Sequence, residues 1–160
     1  MAYQSTEATI LPQNFADTST VQLAPLGTIR RGQDSTNGEG EFIYLKGVAS
    51  TAVGDLVIYD QRAGTTTRTV AGSRGPVAVA MSSNVANQYG WYQVGGAAVV
   101  KSGAAVAGAS VYLTATAGTV DDAVVATDKL EGARYKTADG TPSAGLAVLQ
   151  LSRPSANGNG

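Results

Sequence analysis

The sequence predicts an all-β protein, an antiparallel β-sandwich or barrel of jelly-roll-like form. Short runs of β-branched and aromatic residues recur along the 160-residue chain, and turn residues interrupt them about every 8–12 positions. No segment keeps the 3.6-residue apolar period of an amphipathic helix. Small residues flank many of the runs, which would let two sheets pack closely.

The stretch over residues 89–100 is the centre of this predicted domain. It contains Trp91, the only tryptophan, and Tyr92, followed by the pair Gly95 and Gly96. Because glycine adopts positive φ without steric cost, this order predicts a strand, a tight turn at the glycine pair and a second strand. We expect Trp91 and Tyr92 to lie in the core or at an oligomer contact, since large aromatic side chains contribute strongly to both.

The β-domain is predicted over residues 41–151. Further strands are expected at residues 42–45, 56–59, 65–70, 76–81, 111–115 and 146–151, each bounded by turn residues. Residues 120–126 fit either a strand edge or one helical turn, and residues 130–137 fit a strand broken near Gly132.

Residues 1–40 differ from the rest and predict an extended N-terminal arm with a hinge. Their apolar residues occur singly, Pro12 and Pro25 oppose helix, and residues 31–40 contain no apolar side chain. The segment is either a disordered tail or an arm that orders on another subunit. Removing residues 1–40 should leave a folded domain that binds its partner much more weakly. The polar segment 152–160 predicts a disordered tail.

Composition excludes several function classes. Charged residues make up 14% of the chain, against about 25% in ordinary globular proteins. The net charge of −1 gives no long-range attraction to nucleic acid or anionic membranes. No histidine or cysteine is present, which removes His-centred acid–base catalysis, disulfides and nearly all zinc sites. We therefore expect no enzyme activity, no cofactor and no metal.

The chain contains an adjacent pair of aspartates and an adjacent pair of arginines. Asp121 and Asp122 are adjacent, but neighbouring strand residues point to opposite faces, and calcium needs six or more oxygen ligands. Arg30 and Arg31 form the one basic doublet. The doublet is either solvated or pairs with acidic groups of a partner. The N-terminus has no basic region followed by an apolar run, so no secretory signal is expected.

Four blocks, in the same order, resemble those of tailed-bacteriophage head decoration, or capsid cement, proteins. They are residues 41–48, 75–80, 88–94 and 111–118, the last followed by Val120, Asp121 and Asp122. The resemblance implies a small β-domain on the outer surface of an icosahedral shell, made in the host cytoplasm. It also implies a homo-oligomer, a dimer or trimer, that cements neighbouring major capsid subunits against DNA pressure.

The arm lies outside those blocks, so its role is inferred from its own residues. Its apolar side chains would fill grooves on the shell, and its arginines would meet acidic groups. Many such contacts would raise avidity by about 10²–10⁴ over a single one. The residues expected to bind the capsid or another partner are Tyr3, Ile10, Leu11, Phe15, Arg30 and Arg31.

Two other functions remain open from the sequence. A carbohydrate- or receptor-binding β-module of a phage fibre or head spike would expose Trp91 or Tyr92 in a groove. A hydrolase with an unusual site is disfavoured because histidine and cysteine are missing.

Overall fold

A computed structural model describes residues 3–6 and 12–157 of the chain. Over these residues the regular structure consists of strands alone, so the predicted all-β class is confirmed. The strands join an antiparallel sheet that does not close into a barrel, which gives a β-sandwich-like fold. No helix in this part of the chain is long and apolar enough to cross a membrane.

In chain order the described strands are β1 (Gln4–Ser5), β2 (Thr18–Ser19), β3 (Ile29–Asp34), β4 (Gly38–Lys46), β5 (Leu56–Tyr59), β6 (Thr66–Arg68), β7 (Gly75–Ala80), β8 (Tyr89–Lys101), β9 (Ser110–Leu113), β10 (Val120–Asp121), β11 (Lys129–Tyr135) and β12 (Leu146–Ala156).

The sheet is organised around β8, which is 13 residues long. It pairs with β4 over its first half and with β12 over its second half. Strands β7 and β2 make shorter pairings with it. The sheet continues from β4 through β3 to β1, and from β12 through β11 and β9 to β10. Strand β5 joins β7 to β6.

The predicted turn at the glycine pair is wrong, because β8 passes through Gly95 and Gly96 without reversing. Gly96 has φ of +86°, and a Cβ there would lie 2.2 Å from the carbonyl oxygen of Glu39. The register between β4 and β8 shifts between Glu41 and Phe42, which marks a β-bulge. The glycine therefore lets β4 approach a bend in one long strand, and β8 changes partner there.

Within residues 3–6 and 12–157, three clusters of buried residues form the core. The largest contains Leu56, Val100 and Leu149, and it packs β5, β8 and β12 together. The second contains Ile43 and Tyr92. The third, called here the aromatic cluster, consists of Phe15, Phe42, Tyr44 and Trp91.

A buried carboxylate ties strands together beside the largest cluster. The side chain of Asp55 is fully buried, and Arg68 Nε on β6 lies 2.8 Å from its Oδ2. Lys101 Nζ on β8 lies 2.7 Å from its Oδ1 and acts as an ion-pair partner. The backbone N–H of Ala52 also donates to Oδ2. Two cations and an amide thus offset the cost of burying this charge.

The structure corrects the predicted boundary at residue 40. Residues 31–40, predicted as a hinge, lie within a hairpin in which β3 and β4 pair over six positions. Phe15 is 1% exposed and belongs to the core. Backbone pairing does not require apolar side chains, so the polar composition of β3 concealed it. Phe15 and strand β3 are therefore part of the β-domain.

The predicted disordered tail also differs from the structure as far as Ala156. Strand β12 continues to that residue, where it pairs with Leu130 of β11 and Gly75 of β7. Arg153, at φ +44°, lies in this extension, and its Nε donates to Glu41 Oε1 at 2.7 Å. Pairing on both edges and this ion pair account for order in a polar segment.

Candidate interaction surfaces

Tyr3, predicted to bind a partner, is anchored on the protein's own sheet. Its ring meets that of Phe42 edge to face at 4.8 Å. Its hydroxyl donates to the carbonyl oxygen of Ala97 at 2.7 Å and accepts from Gln93 Nε2 at 3.2 Å. Burial raises the pKa of this hydroxyl above its usual value. The side chain is half-buried, and both its ring and its hydroxyl make contacts within the chain.

Phe15 lies inside the aromatic cluster. Its ring stacks on Phe42 at 4.1 Å and meets Trp91 edge to face at 5.3 Å. Gly32 makes room for it, because a Cβ at that position would lie 2.6 Å from Phe15 Cε2. As folded, Phe15 does not present its side chain to a partner, contrary to the prediction.

Gln13, which has no distinguishing sequence pattern, holds the segment around Phe15 against the sheet by hydrogen bonds. Its Nε2 donates to the backbone oxygens of Asp17 and Tyr89. Its Oε1 accepts from the hydroxyl of Tyr44 at 2.9 Å, and its carbonyl accepts from Trp91 Nε1 at 3.0 Å. A lone glutamine after a proline has no pattern that distinguishes it from a solvated one, so the sequence held no signal for this role.

Arg30 and Arg31 both make polar contacts within their own chain. Arg31 Nη1 lies 3.5 Å from Glu39 Oε1, and its Nε lies 4.0 Å from Glu41 Oε2. Arg30 is half-buried, and its Nη1 donates to the carbonyl oxygen of Ile29. The acidic partners that were expected on another protein are thus supplied, for Arg31, by β4.

Trp91 and Tyr92 are both 0% exposed. The Trp91 indole is bonded to Gln13 as described, and the Tyr92 hydroxyl accepts from Asn84 Nδ2 at 3.0 Å. Both side chains are core residues, and neither lines an open groove. Ile10 and Leu11, also predicted to bind a partner, lie outside the described residues.

An apolar surface that the sequence analysis missed lies on two neighbouring loops. Val106 is 62% exposed on the loop between β8 and β9, and Val124 and Val125 are 78% and 45% exposed on the loop between β10 and β11. We call these three residues the valine surface. Exposed alanines flank them at positions 104, 107, 123 and 126. Valine has the same sequence signature in a strand and in a loop, so only the structure reveals this exposure.

Hydrogen bonds hold the two loops together. The backbone N–H of Val106 donates to Asp122 Oδ2 at 3.0 Å, and that of Asp122 donates to the carbonyl oxygen of Ala104 at 3.3 Å. Within the second loop, Ala123 N–H donates to Asp121 Oδ1. The valines are therefore presented by a fixed backbone.

Three carboxylates lie beside the valine surface. Asp139 Oδ1 accepts from the N–H of Ala105, next to the amide of Val106 that Asp122 accepts. Burial, followed by the charges of Asp121, Asp122 and Asp139, raises the pKa of Tyr135 to about 12, although its bond to Ser102 opposes the shift. In the described part of the chain, no lysine or arginine forms an ion pair with these three carboxylates.

These carboxylates do not form a recognisable cation site. Across residues 3–6 and 12–157, no group of three or more metal-ligating side chains converges. Their oxygens accept backbone amides instead: Asp121 makes a local Asx turn with Ala123, and Asp122 and Asp139 accept from the distant amides of Val106 and Ala105.

Comparison of the chain with protein-family models, curated proteins and solved structures finds no match.

Proposed function

We propose that this protein is a structural virion protein that binds the outside of a bacteriophage head and cements neighbouring major capsid subunits. The valine surface is the single observation that carries the proposal. Exposed aliphatic side chains on hydrogen-bonded loops favour a protein interface, since they gain most from being covered. The order of the four resembling blocks supports the same role.

The proposed action is adhesion through many modest contacts, without catalysis. Several copies, associated as a dimer or trimer, would each cover a junction between capsid subunits on the outer surface of the shell. Once one contact forms, the others become intramolecular, so the bound assembly resists separation by internal DNA pressure more than any single contact would.

The packing of the N-terminal segment changes where the contact is proposed. Tyr3 and Phe15 bind within the chain, and Arg31 pairs with Glu39 and Glu41. The primary contact is therefore assigned to the valine surface, and Ile10 and Leu11 stay proposed secondary contacts.

The glycan-binding alternative loses its sequence basis. It required Trp91 or Tyr92 to offer a ring to sugar, and both side chains are fully buried. In the described residues no observation favours that function over adhesion to a protein shell.

Co-sedimentation with undecorated heads tests the proposal. We expect the purified protein to pellet with heads, to saturate at a fixed copy number per shell and to raise the temperature at which heads release DNA. Heads already carrying their full complement are the control and should bind no more. Failure to pellet with undecorated heads would reject the proposed function.

A further inference from the structure

The surroundings of the valine surface indicate what kind of partner covers it. Val106 and Asp122 are joined by a hydrogen bond, Asp121 precedes Asp122 and accepts the amide of Ala123, and Asp139 accepts the amide of Ala105 beside Val106. Apolar and acidic groups thus occupy the same end of the domain. Arg134 also reaches it, donating Nη1 to the carbonyl oxygen of Gly108, which leaves the carboxylates in excess.

We propose that the valine surface binds a partner protein whose aliphatic side chains are flanked by lysine or arginine. This inference rests on the proposed function, in which that partner is the outer face of the major capsid protein. Covering the valines supplies the apolar part of the affinity. The basic groups of the partner meet carboxylates that accept only backbone amides within the described chain, and such complementarity fixes orientation and speeds association.

Charge also argues against a second copy of this chain as the occupant. An isologous contact would place the same patch of one copy against itself in the other. The carboxylates of Asp121, Asp122 and Asp139 would then face their own counterparts, which is unfavourable when apolar contact removes the intervening water. A two-fold dimer of this chain would therefore use a different surface.

The experiment measures binding to undecorated heads at about 50 mM and 300 mM salt, a range over which exposed charge pairs are progressively screened. The apolar variant is Val124→Ser with Val125→Ser. Its matched control is Val21→Ser, because Val21 is also 62% exposed but lies near β2. We expect the double variant to weaken binding by about tenfold or more and the control to bind as the unchanged protein does.

The charge variant is Asp121→Asn with Asp122→Asn, since asparagine retains an oxygen that can accept the amides of Ala123 and Val106. Its matched control, Asp17→Asn with Asp60→Asn, changes the net charge equally at exposed positions elsewhere. We expect the charge variant to weaken binding about three- to tenfold at low salt and to reduce its salt dependence. Thermal unfolding of each variant confirms that the fold is retained.

The outcomes separate the two proposals. If the unchanged protein does not bind heads, the proposed function and this inference both fail. If it binds and Val124→Ser with Val125→Ser binds equally well, only the inference fails. If the serine variant weakens binding but the asparagine variant behaves like its control, the assignment of a basic partner is overturned.

Discussion

Gly96 and Gly140 share a backbone conformation but have different surroundings. Gly96 has φ of +86° and Gly140 has φ of +87°. A Cβ at Gly96 would collide with the Glu39 carbonyl, whereas a Cβ at Gly140 would meet nothing within 4 Å. The pair therefore separates the cost of a left-handed conformation from the cost of close strand approach.

Replacing Gly96 by alanine should lower the free energy of unfolding by about 3 kcal/mol or more, because strand β4 must move as well. Gly140→Ala should cost about 1 kcal/mol, the penalty of the conformation alone. Urea unfolding of both variants measures the difference. Equal losses would show that β4 does not approach β8 as closely as described.

The N-terminal segment behaves, at the scale of elements, as an integral part of the sheet. Phe15 fills the aromatic cluster, and β3 pairs with β4 along its whole length. Removing residues 1–40 would uncover Phe42 and Tyr44, which are 0% exposed. We therefore expect the shortened chain to be destabilised, in contrast to the sequence-based prediction that it folds.

Phe15→Ala should lower the free energy of unfolding by about 3–5 kcal/mol, since it leaves a cavity between Phe42 and Trp91. Val21→Ala, at an exposed position of the same segment, should change it by no more than about 0.5 kcal/mol. Chemical denaturation followed by Trp91 fluorescence measures both. A Phe15→Ala variant as stable as the control would mean that the segment does not contribute to the core.

Some elements could be predicted from the sequence and others could not, for physical reasons. Leu56–Tyr59 is a strand as expected, because four consecutive β-formers lie between turn residues. The register shift at Gly132 in β11 also fits the predicted break. Strand β3, by contrast, is held by backbone pairing, which its polar side chains do not indicate. Glycine usually indicates a turn, but Gly96 lies at a bend within one continuous strand.

The residues of the candidate surface could not be predicted from the sequence either. The sequence predicts partner binding for Tyr3 and Phe15 and a core or oligomer position for Trp91, but an aromatic side chain alone does not distinguish these roles. The structure assigns Phe15 and Trp91 to the core and leaves smaller valines outside. Which valine is exposed depends on where the loops are fixed, and Asp122 fixes them by a bond to an amide 16 residues away in the chain.

The whole molecule should be sensitive to alkali through its tyrosines. Burial raises the pKa of Tyr3, Tyr44, Tyr59, Tyr92 and Tyr135 above the ordinary value, to about 12 for Tyr135. Between pH 10 and 12 the unfolded chain releases the proton of Tyr135 while the folded protein retains it, and the other four tyrosines act in the same direction above pH 10. The contribution of Tyr135 to stability is therefore complete below pH 10 and is lost as the pH rises towards 12.

We expect the free energy of unfolding to fall between pH 10 and pH 12, and to fall less steeply in Tyr135→Phe. That variant loses its bond to Ser102 at every pH, so the slope, and not the starting value, is the relevant quantity. Urea unfolding at several pH values measures it. An unchanged slope would mean that Tyr135 titrates normally in the folded protein.

The central position of β8 has a consequence for synthesis on the ribosome. Strand β4 ends at residue 46, whereas its partner β8 begins at residue 89. At 5–20 residues per second, the nascent chain must wait roughly 2–9 s before β4 can be covered. The hydrogen bond from the Tyr3 hydroxyl forms after a longer delay, because its acceptor, the carbonyl oxygen of Ala97, lies 94 residues downstream. Tyr3 is thus synthesised well before the residue that accepts its hydrogen bond.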